Sequence, residues 1–342
     1  MALLWMEGWE GYGAVGNVRY RYQTSGTITS CDIVAGRTGG SALELDFGSG
    51  YVYVVPPGGQ TVANIVMGWA WYKRTSMVAS DMMNFYAYDG STEQIVIGVL
   101  GTGDIFVDRA STRLGETTGL NLLTTTWYYI EVAITFADGT GGSVEVFVNG
   151  ASVLNLTSID TRNVTGENCG SIRITGNSSG PHRFDDMYLL DDQGTDQTTR
   201  IGPCFIETVY PDADGTTTNW TAQGAGANYV EVDEGNTPDG DTTYNSSSTL
   251  SQKDLYGHAA LTGNIGTVYA VMPRALLRAS SAGQRGIKNV ARSNVTEVNG
   301  DEWFIDQTYI YIDHIYENDP NGGGSWTESS INAAEFGVII ST

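Results

Sequence analysis

The chain has little charge, few cysteines, few histidines and no long apolar run, and each shortage removes a class of protein. Charged residues make up 16% of its 342 positions, against about 25% in ordinary soluble domains. Only three lysines occur, Lys73, Lys253 and Lys288. No long stretch repeats apolar residues at the 3.6-residue helical period, so a helical bundle is excluded. The three cysteines, Cys31, Cys169 and Cys204, are an odd set without CxxC spacing. They support neither a disulfide framework nor a zinc site and are expected to be buried or inert thiols. The three histidines, His182, His258 and His314, lie far apart in different neighbourhoods, which leaves little material for His-centred catalysis. No GxSxG or HExxH pattern occurs, and Gln223-Gly-Ala-Gly226 lacks the ending of a phosphate loop. No apolar run reaches the length of about 18 residues that a membrane-spanning helix needs. Residues 1–16 hold no basic segment before an apolar stretch and carry an acid as early as Glu7, so no secretory signal is read there and folding in a cytoplasm is expected.

What the chain does hold is acid, glycine and aromatic residues. A net charge of −22, from 39 Asp and Glu against 17 Lys and Arg, is spread along the sequence and repels polyanions. Nucleic acid is excluded as a partner, because a phosphate grip needs a basic stripe; the charge also disfavours an anionic membrane surface, and without a long apolar run membrane insertion is not expected. The 44 Gly and 19 Tyr accompany short alternating segments at 42–47, 51–55, 65–72, 83–88 and 94–100, the pattern of an antiparallel sandwich or barrel. In 127–136, Tyr128, Ile130, Val132 and Ile134 share one face. The segment 143–148 then runs into Asn149-Gly150, a type I′ turn signal, and the chain returns through 151–156, which predicts two successive hairpins. Further strands are expected at 171–175 and 183–190.

These spacings predict an all-β protein of two domains. Residues 1–200 form a jelly-roll sandwich, and residues 201–342 form a smaller C-terminal β-sandwich. The second domain is expected to open with a strand at 204–210 and to cross a polar, loop-like region at 211–253. Strands resume at 265–272, 286–291, 302–305 and 308–316, with a helical turn in 327–336 for which Thr327 supplies the cap.

Glycoside hydrolysis needs two carboxylates flanking the scissile bond, and on a strand residues i and i+2 share a face. Two Glu-x-Asp sites qualify. Glu44-Leu-Asp46 has no third acid after it, and Glu231-Val-Asp233-Glu234 has Asn236 where a jelly-roll glucanase pattern wants its acid, which weakens the case for an enzyme. Asp185-Asp186 offers hard oxygen ligands for Ca²⁺; the plainer reading makes one of them a hydrogen-bond acceptor at a strand start and leaves the other solvated. Asp191 and Asp192 read as a turn. Trp69 and Trp71 share a strand face that either stacks on sugar rings or lies in the core. No catalytic residue, metal ligand or cofactor is assigned, and the ligand-binding residues stay unknown.

The stretch Trp127-Tyr-Tyr-Ile-Glu-Val, followed by Gly142-Ser-Val-Glu-Val-Phe-Val-Asn-Gly150 and Phe184-Asp-Asp-Met-Tyr-Leu, resembles the concanavalin A-like lectin/laminin G jelly roll. The opening, Gly8-Trp-Glu-Gly-Tyr12 and Gly36-Arg-Thr-Gly-Gly-Ser-Ala-Leu-Glu-Leu45, resembles tailed-phage structural proteins of that class, with coverage over residues 1–195. The second half is similar to a C-terminal module of phage virion proteins through Asn219-Trp-Thr, Val232-Asp-Glu-Gly, Asp241-Thr-Thr-Tyr244, Tyr316-Glu-Asn-Asp-Pro-Asn-Gly, Ser325-Trp-Thr and Ile331-Asn-Ala-Ala-Glu-Phe-Gly-Val338. The resemblance implies a non-enzymatic virion structural protein, such as a capsid decoration, collar or tail-fibre element. Such a protein is made in the host cytoplasm, exposed on the particle as a homo-oligomer, seated on other virion proteins and able to bind host-surface glycans. The competing expectation is a glycan-degrading depolymerase of the tailspike type, in which Glu231 or Asp233 is the residue to test. A bacterial adhesin is a third reading, which the missing secretion signal and anchor disfavour.

Overall fold

Tyr128, Ile130, Val132 and Ile134 stand directly opposite Trp71, Trp69, Met67 and Ile65 on the neighbouring strand. Because successive side chains of a strand point to opposite faces, these residues form one wall of a core. The computed structural model describes residues 3–25, 31–45, 51–55, 61–75, 82–176, 180–263 and 265–342. The chain divides into two units, Met1–Glu10 with Ala14–Ile206, and Gly11–Gly13 with Glu207–Thr342.

The strands of the first unit begin with β1 Leu3–Glu7, β2 Gln23–Ser25, β3 Cys31–Ala35, β4 Ser41–Leu45 and β5 Tyr51–Val54. They continue with β6 Asn64–Lys73, β7 Met82–Asp89, β8 Thr92–Val99, β9 Ile105–Arg109 and β10 Thr112–Glu116. The last are β11 Trp127–Thr135, β12 Gly142–Val148, β13 Ala151–Ile159, β14 Ser171–Thr175 and β15 His182–Asp191. An eight-stranded sheet runs β13-β12-β11-β6-β15-β4-β3, with β1 also paired to β15, and a seven-stranded sheet runs β10-β9-β8-β7-β14-β5-β2. Strands distant in sequence are interleaved in both sheets, as in a jelly roll. Asn149 and Gly150 have φ of 48° and 85°, the left-handed pair that a type I′ turn requires, and they join β12 to β13 with Val148 opposite Ala151.

Trp69 and Trp71 are core residues, 2% and 0% exposed. Trp69 stacks on Phe85 of the opposite sheet, with ring centroids 5.6 Å apart and planes 5° from parallel. The Trp71 indole donates to Nδ1 of buried His182 at 3.0 Å. Burial, helped by the Lys73 charge, pushes the His182 pKa down to about 3, so this ring is neutral and structural.

The second unit has a five-stranded antiparallel sheet in the order Pro211–Thr218, Lys253–His258, Glu335–Ile340, Arg285–Ser293, Thr296–Ile305. Ile287, Ile305, Val338 and Ile340 pack with Ile312, and with Ala275, Leu277 and Ile310 of the ribbon formed by Arg274–Leu277 and Ile310–Asp313. Thr327 caps the short helix Glu328–Asn332 by accepting the Ser330 N–H at 3.1 Å. The all-β expectation therefore holds. Tyr316 and Trp326, from the distinctive C-terminal pattern, form a core with Ala291, Ile331 and Ala334, so those residues serve packing.

Three local expectations are corrected. Segment 204–210 forms no strand. Side chains take backbone groups that a ladder would use in and just before it: Glu131 accepts the Gly202 N–H at 2.9 Å, Asp186 accepts that of Ile206 at 2.8 Å, and Arg37 donates to the Cys204 carbonyl. Segment 265–272 contributes only the bridge between Val271 and Tyr316. The supposed loop 211–253 contains the strand Pro211–Thr218, a sheet edge where polar side chains meet water without cost.

Gly68 lies beneath the Tyr188 ring, where an added Cβ would overlap it, and Tyr188 is fixed by its hydroxyl donating to Glu131 at 2.6 Å. Gly68→Ala is therefore expected to destabilise the fold by about 1–3 kcal/mol. Urea unfolding measures this, and an unchanged midpoint would contradict the packing described.

Candidate functional site

The residues singled out in the sequence do not assemble a reaction centre. Glu44 is buried and paired with Arg74 at 3.0 Å and Arg183 at 2.8 Å, while Asp46 lies outside the described residues. Glu231 is buried in the 3₁₀ turn Asn228–Glu231, accepting the Gly226 N–H at 2.9 Å, and Asp233 is exposed in the loop beyond. Neither is on a strand, so the shared-face argument for Glu231 and Asp233 fails. Burial pushes the thiols of Cys31, Cys169 and Cys204 up to about 11, 12 and 12, which leaves them protonated and unreactive. His258 lies against the Ala259 and Ile331 carbonyls at 2.9 and 3.0 Å, and His314 sits 3.2 Å from Asp301.

The expectation that one of Asp185 and Asp186 is solvated is also corrected, since they are 2% and 1% exposed. Asp185 accepts the N–H groups of Arg37 and Asp186 at 2.7 Å each, and Asp186 pairs with Arg37 Nε at 2.8 Å. Glu10 accepts the Ser41 N–H at 2.8 Å. A Cβ on Gly8 or Gly40 would overlap the Glu10 carboxyl, and one on Gly36 would crowd Asp185. The opening Gly-Trp-Glu, the Gly36-Arg-Thr-Gly-Gly hairpin and the Asp-Asp pair thus lock one structural cluster. Among the described residues no group of three or more His, Cys, Asp or Glu is arranged to hold a metal ion.

A different set of residues converges on the seven-stranded sheet. Val52 and Val54 of β5, Ile172 and Ile174 of β14, and Phe85 and Ala87 of β7 are buried, so alternation turns Tyr51, Tyr53, Arg173 and Tyr86 to the outward face. Cross-strand pairing sets Arg173 between Tyr53 and Tyr86. Its guanidinium carbon lies 4.3 Å from the Tyr51 ring centroid and 5.2 Å from that of Tyr86, a cation held by aromatic faces. Arg173 Nη1 donates to the Tyr88 hydroxyl at 3.3 Å, and that hydroxyl donates to Glu93 Oε2 at 3.4 Å. Tyr86 and Tyr88 stack with centroids 6.0 Å apart.

Two features give this face chemical capacity. Among the described residues Arg173 pairs with no carboxylate; its Nε is buried without a partner, so a carboxylate would meet this guanidinium at its terminal nitrogens. Burial raises the pKa values of its neighbours: Tyr86 goes up to about 12, and Tyr88 and Glu93 shift upward. Both phenols stay protonated as donors at neutral pH, while the Glu93 carboxylate gains proton affinity. The sequence signal was the period-2 Tyr in Tyr51-Val-Tyr53-Val and Phe85-Tyr-Ala-Tyr88 beside Ile172-Arg-Ile174.

No family model and no curated sequence matches the chain. Solved structures of similar fold include an alginate lyase from Aplysia kurodai, 12% identical, covering 56% of this chain and 99% of that one with a TM-score of 0.43. An endo-β-1,4-glucuronan lyase from Trichoderma reesei is 13% identical, over 47% of this chain and 86% of its own, with a TM-score of 0.37. An alginate lyase from Chlorella virus is 10% identical, over 47% and 88%, with a TM-score of 0.35. At such identity the likeness is one of fold, a jelly-roll sandwich found in carbohydrate-active proteins. The expectation of a non-enzymatic virion structural protein is corrected here, since the solved structures of similar fold are named as polysaccharide lyases.

The buried acid cluster generates a pH prediction. Burial lifts Glu10 to about 7, from about 4.3 in an unfolded chain. Protonated Glu10 therefore stabilises the fold fully below about pH 4, and that stabilisation is lost as pH rises through about 7. Glu10→Gln is expected to flatten the decline in melting temperature between about pH 5 and 8; an unaltered pH profile would contradict it.

Proposed function

We propose that the chain degrades a uronate-containing polysaccharide bound across the outward face of the seven-stranded sheet. The observation that carries this is Arg173, braced between Tyr51 and Tyr86 with no carboxylate partner among the described residues. A uronate supplies the missing carboxylate, and its sugar rings suit the tyrosine faces. The chain's overall negative charge is screened beyond about 8 Å at physiological salt, so local contacts decide binding.

The reaction that suits these groups is elimination. Arg173 neutralises the uronate carboxylate, which acidifies the proton on C5, α to the carboxyl carbon. The Glu93 carboxylate takes that proton, the electron pair forms the C4–C5 double bond, and the C4–O bond breaks. The leaving oxygen takes the Tyr88 hydroxyl proton. Glu93 then returns its proton to the Tyr88 phenolate across their 3.4 Å contact, which restores both groups.

The resemblance to phage proteins in the opening and C-terminal residues supports a further element of the proposal: the enzyme is a homo-oligomer carried on a phage particle with other virion proteins, acting on host-surface glycan. On this reading residues 1–200 do the chemistry and residues 201–342 serve attachment.

Alginate and glucuronan are the substrates to try, with unsaturated uronate followed by its ultraviolet absorbance. Glu93→Gln and Tyr88→Phe are each expected to slow cleavage by about 10²-fold or more, and Arg173→Ala to raise KM and lower kcat together. Wild-type protein that leaves both polymers intact, or variants that cleave like wild type, would overturn the reading.

A further inference from the structure

The outward face of the eight-stranded sheet carries a second row of residues that the proposed reaction does not use. Trp127 of β11 pairs with Tyr72 of β6, Tyr72 with Arg183 of β15, Arg183 with Glu44 of β4, and Glu44 with Asp32 of β3. One residue from each of five adjacent strands thus stands in a single line across the sheet. At about 4.8 Å between neighbouring strands, the line is about 19 Å long. Trp71 and Tyr128, the next residues along, point to the core side and lie near each other there, so Trp127 and Tyr72 face away from it.

The chemistry along the line is graded. Trp127 and Tyr72 are half-buried, with centroids 5.2 Å apart and planes at 42°. Among the described residues neither the Trp127 indole N–H nor the Tyr72 hydroxyl has a hydrogen-bond partner. The Arg183 guanidinium covers Tyr72 at 5.2 Å and pairs with one Glu44 oxygen at 2.8 Å, while Arg74, 49% exposed, takes the other at 3.0 Å. Two arginines against Glu44 and Asp32 leave the row without net charge, in contrast to the unpaired Arg173 on the other sheet.

We propose that this row is a second saccharide-binding track, specific for uncharged pyranose chains. A sugar ring lies on the Trp127–Tyr72 platform, its hydroxyls accept from the free indole N–H and from the donors of Arg183 and Arg74, and the chain runs across the strands. Ring stacking supplies the affinity, and the neutral charge balance disfavours a polyuronate. The track is independent of the elimination reading, because it needs neither Arg173 nor Glu93.

The test is saturation-transfer NMR with cellohexaose, mannohexaose and maltohexaose on the full chain and on its Arg173→Ala variant. Transfer to at least one of the three is expected in both proteins, with affinity falling about tenfold or more in Trp127→Ala and Tyr72→Ala. Trp127→Phe, which keeps a ring, is expected to hold most of the binding, and circular dichroism confirms that each variant is folded. No transfer to any of the three sugars, or transfer unchanged in folded Trp127→Ala, would overturn the track. Loss of transfer in Arg173→Ala alone would also overturn it, by assigning the binding to the other face.

Discussion

Strand alternation is the constraint on which the first unit depends. Each residue that a strand commits to the core commits its two neighbours to the opposite face. Placing Val52, Val54, Ile172, Ile174, Phe85 and Ala87 inside leaves Tyr51, Tyr53, Arg173 and Tyr86 outside on adjacent strands. The same rule, applied across the sandwich, puts Trp69 and Trp71 in the core and Tyr72 and Trp127 on the far surface. Both chemically distinctive faces are therefore consequences of how the core is filled, and a rigid sheet holds their side chains in place without loops.

Carboxylates organise the parts that strands do not. Glu131 and Asp186, both buried, accept the N–H groups of Gly202 and Ile206, and Glu10 accepts that of Ser41. A buried acid stays tolerable when it collects several donors or a cation; Glu131 has the Tyr188 hydroxyl and the Arg200 guanidinium as well. The glycines at 8, 36 and 40 belong to this arrangement, since a side chain at any of them would crowd a carboxyl group. Part of the acid in the sequence thus serves as internal scaffolding.

The hairpin at Asn149-Gly150, the β11 stripe and the Thr327 cap were legible because local residues alone specify them. Segment 204–210 was misread as a strand because its β-branched and aromatic residues favour one but its backbone partners, Glu131, Arg37 and Asp186, lie far away in sequence. Glu231 and Asp233 looked like a catalytic pair only while they were assumed to share a strand. The Tyr and Arg face was within reach of the sequence, since the alternation at Tyr51-Val-Tyr53 and Ile172-Arg-Ile174 was visible. What no local pattern conveys is that β5, β14 and β7, separated by long stretches of chain, are neighbours. Strand order in a jelly roll is set by the packing of the whole sandwich, and it alone turned scattered tyrosines into one surface.

The most direct measurement is a crystal structure of the chain soaked with an oligouronate, such as an alginate tetrasaccharide. The account predicts sugar rings across the outward face of the seven-stranded sheet, with one carboxylate hydrogen-bonded to Arg173 and C5 of that residue facing Glu93. Oligouronate bound elsewhere, with the Arg173 fork still empty, would contradict it.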